Sequence, residues 1–353
     1  MRPDFWVHGV DSATARDRAR GCFLAGALGD ALGAAVEFLT LPQIQSVYGP
    51  AGIQALDRAY GVLGAITDDT QMTLFTAEGL IRAHVRFTLK GICHPPSVVA
   101  YAYQRWLHTQ GEQAHPNALE LGKGWLLSQG ELHHRRAPGA TCLSALRDWT
   151  PGQERACNDS KGCGTVMRSA PFGFFEEPMV LAGECSDITH GHIEARAASM
   201  AFAHMIHEVL GTYDLAQACL SGAASIDSST RTFALLRKAY DLANGDVSPV
   251  QAIPQLGEGW VAEEALAIGA YCAIKADGDL LDGLRMAVNH SGDSDSTGSI
   301  CGNLMGAAFG MKIVPEDWLE QLELREVIDQ VAVDMVDVQV SDAESFEERY
   351  PGA

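Results

Sequence analysis

Asp293 and Asp295 stand one residue apart in the stretch HSGDSDSTGS, residues 290–299, interleaved with Ser294, Ser296 and Thr297 and bracketed by Gly292 and Gly298. Like charges this close repel, so a positive partner or a structural role has to compensate them. A second acidic cluster, AITDDTQMT at residues 65–73, sets Thr67, Asp68 and Asp69 at the entry to an apolar-periodic segment. Helix capping explains either cluster alone, the first lying before a helix expected to start near Thr297, because Asp, Ser and Thr oxygens accept from the first N–H groups of a helix and complement its dipole. Two clusters, each offering hydroxyl and carboxylate oxygens, exceed what capping needs. An all-oxygen donor set suits a hard cation, Mg²⁺ or Mn²⁺, rather than zinc. Two such cations roughly 3.5–4 Å apart orient a diol and activate a water. The expectation is that the two clusters, far apart in the chain, meet in the fold.

A third stretch, CNDSKGCGTVMRSAPFG at residues 157–173, holds Ser160, Lys161, Gly162, Cys163, Gly164 and Thr165 in a polar, glycine-rich turn before an apolar run. Glycines let backbone N–H groups approach phosphate oxygens closely, although the order of a Walker A loop is missing and an ordinary loop has the same composition. Glu37 closes the small-residue stretch GDALGAAVEF. A carboxylate in so apolar a setting is either paired for structure or tuned for proton transfer. DITHGH supplies His190 and His192, which serve either as residues of a helix start or in a site. His133 and His134 show no metal-ligand spacing.

The elements that must position these residues read as helices. Phe23, Ala27, Ala31 and Ala34 recur near helical spacing in residues 17–38, with small residues that allow close helix packing. Met72, Phe75, Leu80 and Ile81 mark a second helix, and residues 96–109, 260–276 and 283–290 read the same way. Residues 192–213 form another, with Gly211 as the expected C-cap. Leu324, Val327, Ile328, Val331, Met335 and Val338 recur at three or four residues, while 331–340 also alternates and leaves a strand option. Residues 128–164 read as one long loop. The whole is predicted to be one mostly helical domain whose loops carry the chemistry. Residues 1–14, with Phe5 and Trp6, stand apart as an arm that either packs on its own domain or reaches a partner.

A formal charge of −20 argues against nucleic acid as a partner, since phosphate backbones need clustered Lys and Arg. Nine scattered cysteines with no C-x-x-C pair suggest neither a disulfide framework nor a zinc knuckle, and fit a reducing cytoplasm. The N-terminus lacks an apolar signal region, and the most apolar stretch carries Asp30 and Glu37, so a membrane span is not expected.

Taken together, GCFLAGALGDALGAAVEF, TDDTQMT, SKGCGTVMRSAPFG, THGH and GDSDSTGSICGNLMGAAFG, in order from about residue 17 to residue 312, resemble the motifs of the ADP-ribosylglycohydrolase family. The resemblance implies an all-α fold, a single-domain orthogonal helical bundle over residues 15–345 behind the arm of residues 1–14. It implies two Mg²⁺ or Mn²⁺ ions on Thr67, Asp68, Asp69, Asp293, Asp295 and Ser296, with Glu37 beside them. The glycine-rich loop, Ser160 to Thr165, would hold the diphosphate of ADP-ribose, and His190 would line the cleft. Cys163 departs from the Asn that many members carry. The implied reaction removes ADP-ribose from a modified protein, arginine linkage first, with Asp68 or Glu37 as base. An alternative from another class is an immunity protein that blocks an ADP-ribosyltransferase through its aromatic arm, and a third is a two-metal phosphoesterase.

Overall fold

Asp11 starts the first helix, its carboxylate accepting from the Thr14 N–H at 2.8 Å. From there α1 (Ser12–Gly33) runs 22 residues through the small-residue stretch. The computed structural model describes residues 10–120 and 124–352. After α1 come α2 (Leu41–Tyr48), α3 (Asp68–Lys90), α4 (Pro95–Thr109), α5 (Pro116–Glu120) and α6 (Ala140–Asp148). Two 3₁₀ turns, Cys163–Arg168 and Ala170–Phe174, lead to α7 (Pro178–Asp187), α8 (Ile193–Thr212), α9 (Leu215–Ala224), α10 (Arg231–Ala243) and α11 (Pro249–Ala252). Then follow α12 (Ala262–Lys275), α13 (Leu280–Val288), α14 (Ser294–Phe309), α15 (Glu316–Leu319) and α16 (Arg325–Val340). Among the described residues, sheet is confined to a hairpin, β1 (Arg58–Ala59) against β2 (Val62–Leu63). Its two-residue turn, Tyr60 and Gly61, has φ of 52° and 82°, the positive values that suit a tight hairpin. The fold is all-α, as expected.

α1 packs on α14 backbone against backbone, and glycine makes it possible. A Cβ added at Gly302 would lie 2.0 Å from the Ala25 carbonyl oxygen, and one at Gly306 2.0 Å from that of Gly21. The two backbones therefore touch directly, and Asn303 Nδ2 donates to the Cys22 carbonyl at 2.8 Å across the seam. At the other end, a Cβ on Gly33 would meet the Asp295 backbone N at 2.4 Å. This contact sets the C-terminal part of α1, which carries Asp30, beside the first turn of α14. Backbone cannot yield as a flexible side chain does, so overpacking here exceeds its usual 1–3 kcal/mol. Gly302→Val is expected to lower stability by about 3 kcal/mol or more, read as the denaturant midpoint at unchanged slope.

Four expectations need adjustment. Residues 331–340 are helix throughout, because Val327, Ile328, Val331, Met335 and Val338 all reach the core at helical spacing. The helix predicted to end at Gly211 runs to Thr212, and Tyr213 closes it at φ 61° with the Arg18 guanidinium 4.2 Å above its ring. The long loop contains α6 and the short 3₁₀ turn Gly130–His133, and another 3₁₀ turn, Leu126–Ser128, leads into it. The helix expected near Thr297 starts three residues earlier, at Ser294, so Asp295 and Ser296 belong to its first turn. Of the arm, residues 1–9 with Phe5 and Trp6 lie outside the described residues, and from Ser12 the chain is already α1. The nine cysteines are free thiols. No helix among the described residues is long and apolar enough to cross a membrane.

Candidate active site

The N-termini of α3 and α14 carry the two acidic clusters into one place. Glu37, Asp293 and Asp295 each present a carboxylate oxygen, and the three oxygens lie within 4.8 Å of one another. Asp68, Asp69, Asp293 and Asp295 are each at most 4% exposed. Thr67 is the N-cap of α3, its hydroxyl accepting from the Asp69 N–H at 3.3 Å, so the capping role is real for this residue. Asp293 holds the N-cap position of α14 without any side-chain capping bond, which leaves its carboxylate available to the cluster. Asp68 Oδ2 accepts from the Gly139 N–H at 3.1 Å, and its own N–H donates to the Arg136 carbonyl at 3.1 Å. Ser296 is buried, and its N–H donates to Asp295 Oδ1 at 2.9 Å.

Asp30 belongs to the same place, although it stands outside both acidic clusters of the sequence. From α1 it accepts from the Thr67 N–H at 3.0 Å and the Thr67 hydroxyl at 2.7 Å. It also accepts from the Thr70 N–H at 3.1 Å and the Thr70 hydroxyl at 2.5 Å. One carboxylate thus fixes the first turn of α3 and aims the Thr67 oxygen. The available signal was an acid within the uninterrupted small-residue face AGALGDALGA, which needs a buried partner.

Electrostatics show what this cluster lacks. Burial, then the Asp295 and Asp293 charges, push the Glu37 carboxyl up to about 11. Burial and Asp295 push Asp30 up to about 7 despite its threonine donors. Asp68, Asp69 and Asp293 are held well above the usual carboxylate range, burial first and Asp295 second. Glu37 Oε2 and Asp69 Oδ1 are buried and have no hydrogen-bond partner. An orphaned buried carboxylate oxygen is costly, and two of them facing further carboxylates call for positive charge. An all-oxygen set of this kind fits hard divalent cations. Asp30→Asn keeps the volume but weakens the grip on Thr67 and Thr70. It is expected to reduce divalent-metal affinity about 10- to 100-fold, read by calorimetric titration, with the fold retained.

The glycine-rich loop lies against the loop before α12. Gly162 bridges to Val261, and the Cys163 N–H donates to the Trp260 carbonyl at 3.2 Å. The half-buried Cys163 thiol lies between Asp293 and Ser296, and burial with the Asp293 charge raises its pKa. The Ser160 hydroxyl is 3.0 Å from that of Thr141. Lys161 pairs with buried Glu263 and so is committed to the scaffold. Thr165 is buried and donates to the Ala195 carbonyl at 3.3 Å. His190 is also buried: its Nδ1 is 2.8 Å from the Thr189 hydroxyl, and its Nε2 lies behind Gly162. Burial, then the Arg168 charge, lowers its pKa to about 3, so it is a neutral imidazole supporting the loop. The structure therefore gathers Glu37, Thr67, Asp68, Asp69, Cys163, Asp293, Asp295 and Ser296, and places Lys161, Thr165 and His190 in the wall behind.

Two aromatics rim the mouth. Phe38 follows Glu37, Trp260 precedes Val261, and their rings stack at 6.2 Å and 20° while 70% and 41% exposed. Burial and the Glu37 charge raise the Tyr60 hydroxyl pKa, which puts the hairpin turn beside the same carboxylates.

The sequence model of the family described as ADP-ribosylglycohydrolase matches residues 11–344. The chain is 27% identical over 323 residues to the ADP-ribosyl-[dinitrogen reductase] glycohydrolase of Rhodospirillum rubrum, spanning 88% of this chain and 91% of that one. It is 23% identical over 338 residues to the ADP-ribosylarginine hydrolase Tri1 of Pseudomonas putida, spanning 92% and 79%. A solved structure described as an ADP-ribosylglycohydrolase-related protein complex matches with a TM-score of 0.61 at 23% identity, over 93% of this chain and 99% of that one, and shows the shared fold. The chain belongs to the ADP-ribosylglycohydrolase family and is an enzyme of that hydrolase class.

Proposed function

We propose that this enzyme removes ADP-ribose from modified protein side chains, arginine first, at the cluster of Glu37, Thr67, Asp68, Asp69, Asp293, Asp295 and Ser296. The observation that carries the reading is the pair of orphaned oxygens, Glu37 Oε2 and Asp69 Oδ1, buried among carboxylates. Thr67, Asp68, Asp69, Asp293, Asp295 and Ser296 would hold two Mg²⁺ or Mn²⁺ ions. When bound, these ions supply the charge that orients the vicinal hydroxyls of the distal ribose and acidifies a water.

The chain's own groups do the rest. Ser160 and Thr141 would offer hydroxyls to the diphosphate beside the glycine-rich loop, which packs closely on His190 and Cys142 because Gly162 and Gly164 carry no Cβ. Cleavage at the anomeric carbon builds oxocarbenium character, which the neighbouring carboxylates stabilise. Asp68 is held by the Gly139 N–H, whereas Glu37 Oε2 has no partner, so Glu37, kept ionised by the nearby cations, would be the better acceptor for the proton of the attacking water. The protein-substrate reading is supported by the relative that acts on ADP-ribosyl-[dinitrogen reductase], and the arginine preference by the relative described as an ADP-ribosylarginine hydrolase. It is also supported by the Phe38 and Trp260 faces at the mouth, which suit a guanidinium.

The test is ADP-ribose release from proteins modified through arginine or through serine, with Mg²⁺ or Mn²⁺ and with chelator. Metal-dependent release from the arginine substrate is expected. Release of AMP or phosphate instead would favour the phosphoesterase, and no release from any linkage would remove the hydrolase reading. No observation among the described residues favours the alternative in which the chain blocks an ADP-ribosyltransferase.

A further inference from the structure

At the far end of α3 from Asp68, about 27 Å along the helix at 1.5 Å per residue, lies a cleft of about 650 Å³ between α3, α4 and the C-terminal segment. Its wall includes Arg82, Arg86 and Arg105, and no Asp or Glu is among the described residues that line it. In a chain of net charge −20, this is a local reversal of sign. The nearest compensation is Glu78, fully buried beneath, and it is shared. One oxygen takes Arg82 at 3.0 Å and the other takes Arg105 Nε at 2.9 Å.

That arrangement leaves positive charge over. Arg105 is 2% exposed, and its Nη2 is buried with no hydrogen-bond partner. Burial, the largest cause, lowers the Arg105 pKa to about 10 even with Glu78 in contact. Among the described residues, Arg86 Nη1 donates to the Gly352 carbonyl at a long 3.3 Å. A neutral carbonyl at that distance is a weak substitute for an anion, and the Arg105 and Arg86 guanidiniums, with donors to spare, match phosphate oxygens well. Tyr101 and Ile92 on the same wall offer apolar surface beyond the arginines, and the cleft has more room than one phosphate group fills.

We infer that the cleft bounded by Arg82, Arg86 and Arg105 binds a phosphorylated small molecule, with the phosphate on Arg86 and Arg105 and the organic part along Tyr101 and Ile92. This site is separate from the acidic cluster and needs none of its residues.

The probe is inorganic phosphate, titrated calorimetrically into the full chain with Mg²⁺ at constant ionic strength, with succinate as the carboxylate control. Arg86→Gln is expected to weaken phosphate binding about tenfold or more, the scale of one charged hydrogen-bond pair, while ADP-ribose release stays within about twofold. Arg86→Lys restores part of the affinity, and Asp293→Asn, which disables the acidic site, leaves it unchanged. Unchanged binding in Arg86→Gln, or loss in Asp293→Asn, would place the phosphate at the acidic site and overturn the inference. Succinate binding as tightly as phosphate would overturn the ligand class. Binding that arises only after residues 351–353 are deleted would make the chain's own tail the occupant and equally overturn it.

Discussion

Asp293→Asn is expected to reduce kcat/KM for ADP-ribose release by about a thousandfold while making the metal-free protein more stable. The two effects have one cause. Asp293 is 3% exposed, caps nothing, and is held well above the usual carboxylate range by burial first and by Asp295 second. Its ionised form at neutral pH therefore opposes folding unless cations are present. Asparagine keeps the size, removes the charge and removes a ligand. An activity loss with a gain in metal-free stability is the signature of a functional group tolerated against the fold. Asp69→Asn is expected to behave alike, since Asp69 Oδ1 has no partner to lose. Thermal melts in chelator, run beside steady-state kinetics in Mn²⁺, check both halves. A destabilised Asp293→Asn protein would mean that the carboxylate holds the fold together.

The second large effect is on the wild type and concerns pH. Burial and then the Asp295 charge push Asp30 up to about 7 and Glu37 up to about 11 in the folded, metal-free protein, both above ordinary unfolded carboxylates. A group with a raised folded pKa supports stability below its unfolded pKa, and that support is lost as pH rises through the folded value. The metal-free melting temperature is therefore expected to fall steadily as pH rises from about 5 to about 8. Mg²⁺ or Mn²⁺ should remove most of that slope, because bound cations favour the ionised forms. At a hundred times its dissociation constant, a cation adds about 2.7 kcal/mol, so the metal-induced shift should grow towards high pH. A shift that is flat or shrinks with pH would show that these carboxylates are not the ligands.

What the sequence made legible follows from the range of each interaction. The acidic motifs were readable because hydroxyl and carboxylate oxygens recur within a few residues, and a local pattern survives without knowledge of the fold. The helices were readable from spacing, including α16, where apolar periodicity outweighed the alternation at 331–340. Asp30 was opaque because its role depends on Thr67 and Thr70, 37 and 40 residues away. The burial of Thr165 and His190 depends on how the glycine loop leans on α8 and Val261, which no local pattern encodes. Phe38 and Trp260 each read as an isolated aromatic until the fold stacks them. The start of α14 was misplaced because Ser294, Asp295 and Ser296 all suit a loop as well as a first turn.

The most direct test of the metal centre is anomalous scattering from crystals grown with Mn²⁺. Two peaks are predicted, ligated by carboxylates of Asp68, Asp69, Asp293 and Asp295 and close to Glu37. Crystals that diffract well in saturating Mn²⁺ and show no anomalous peak at these carboxylates would contradict the account.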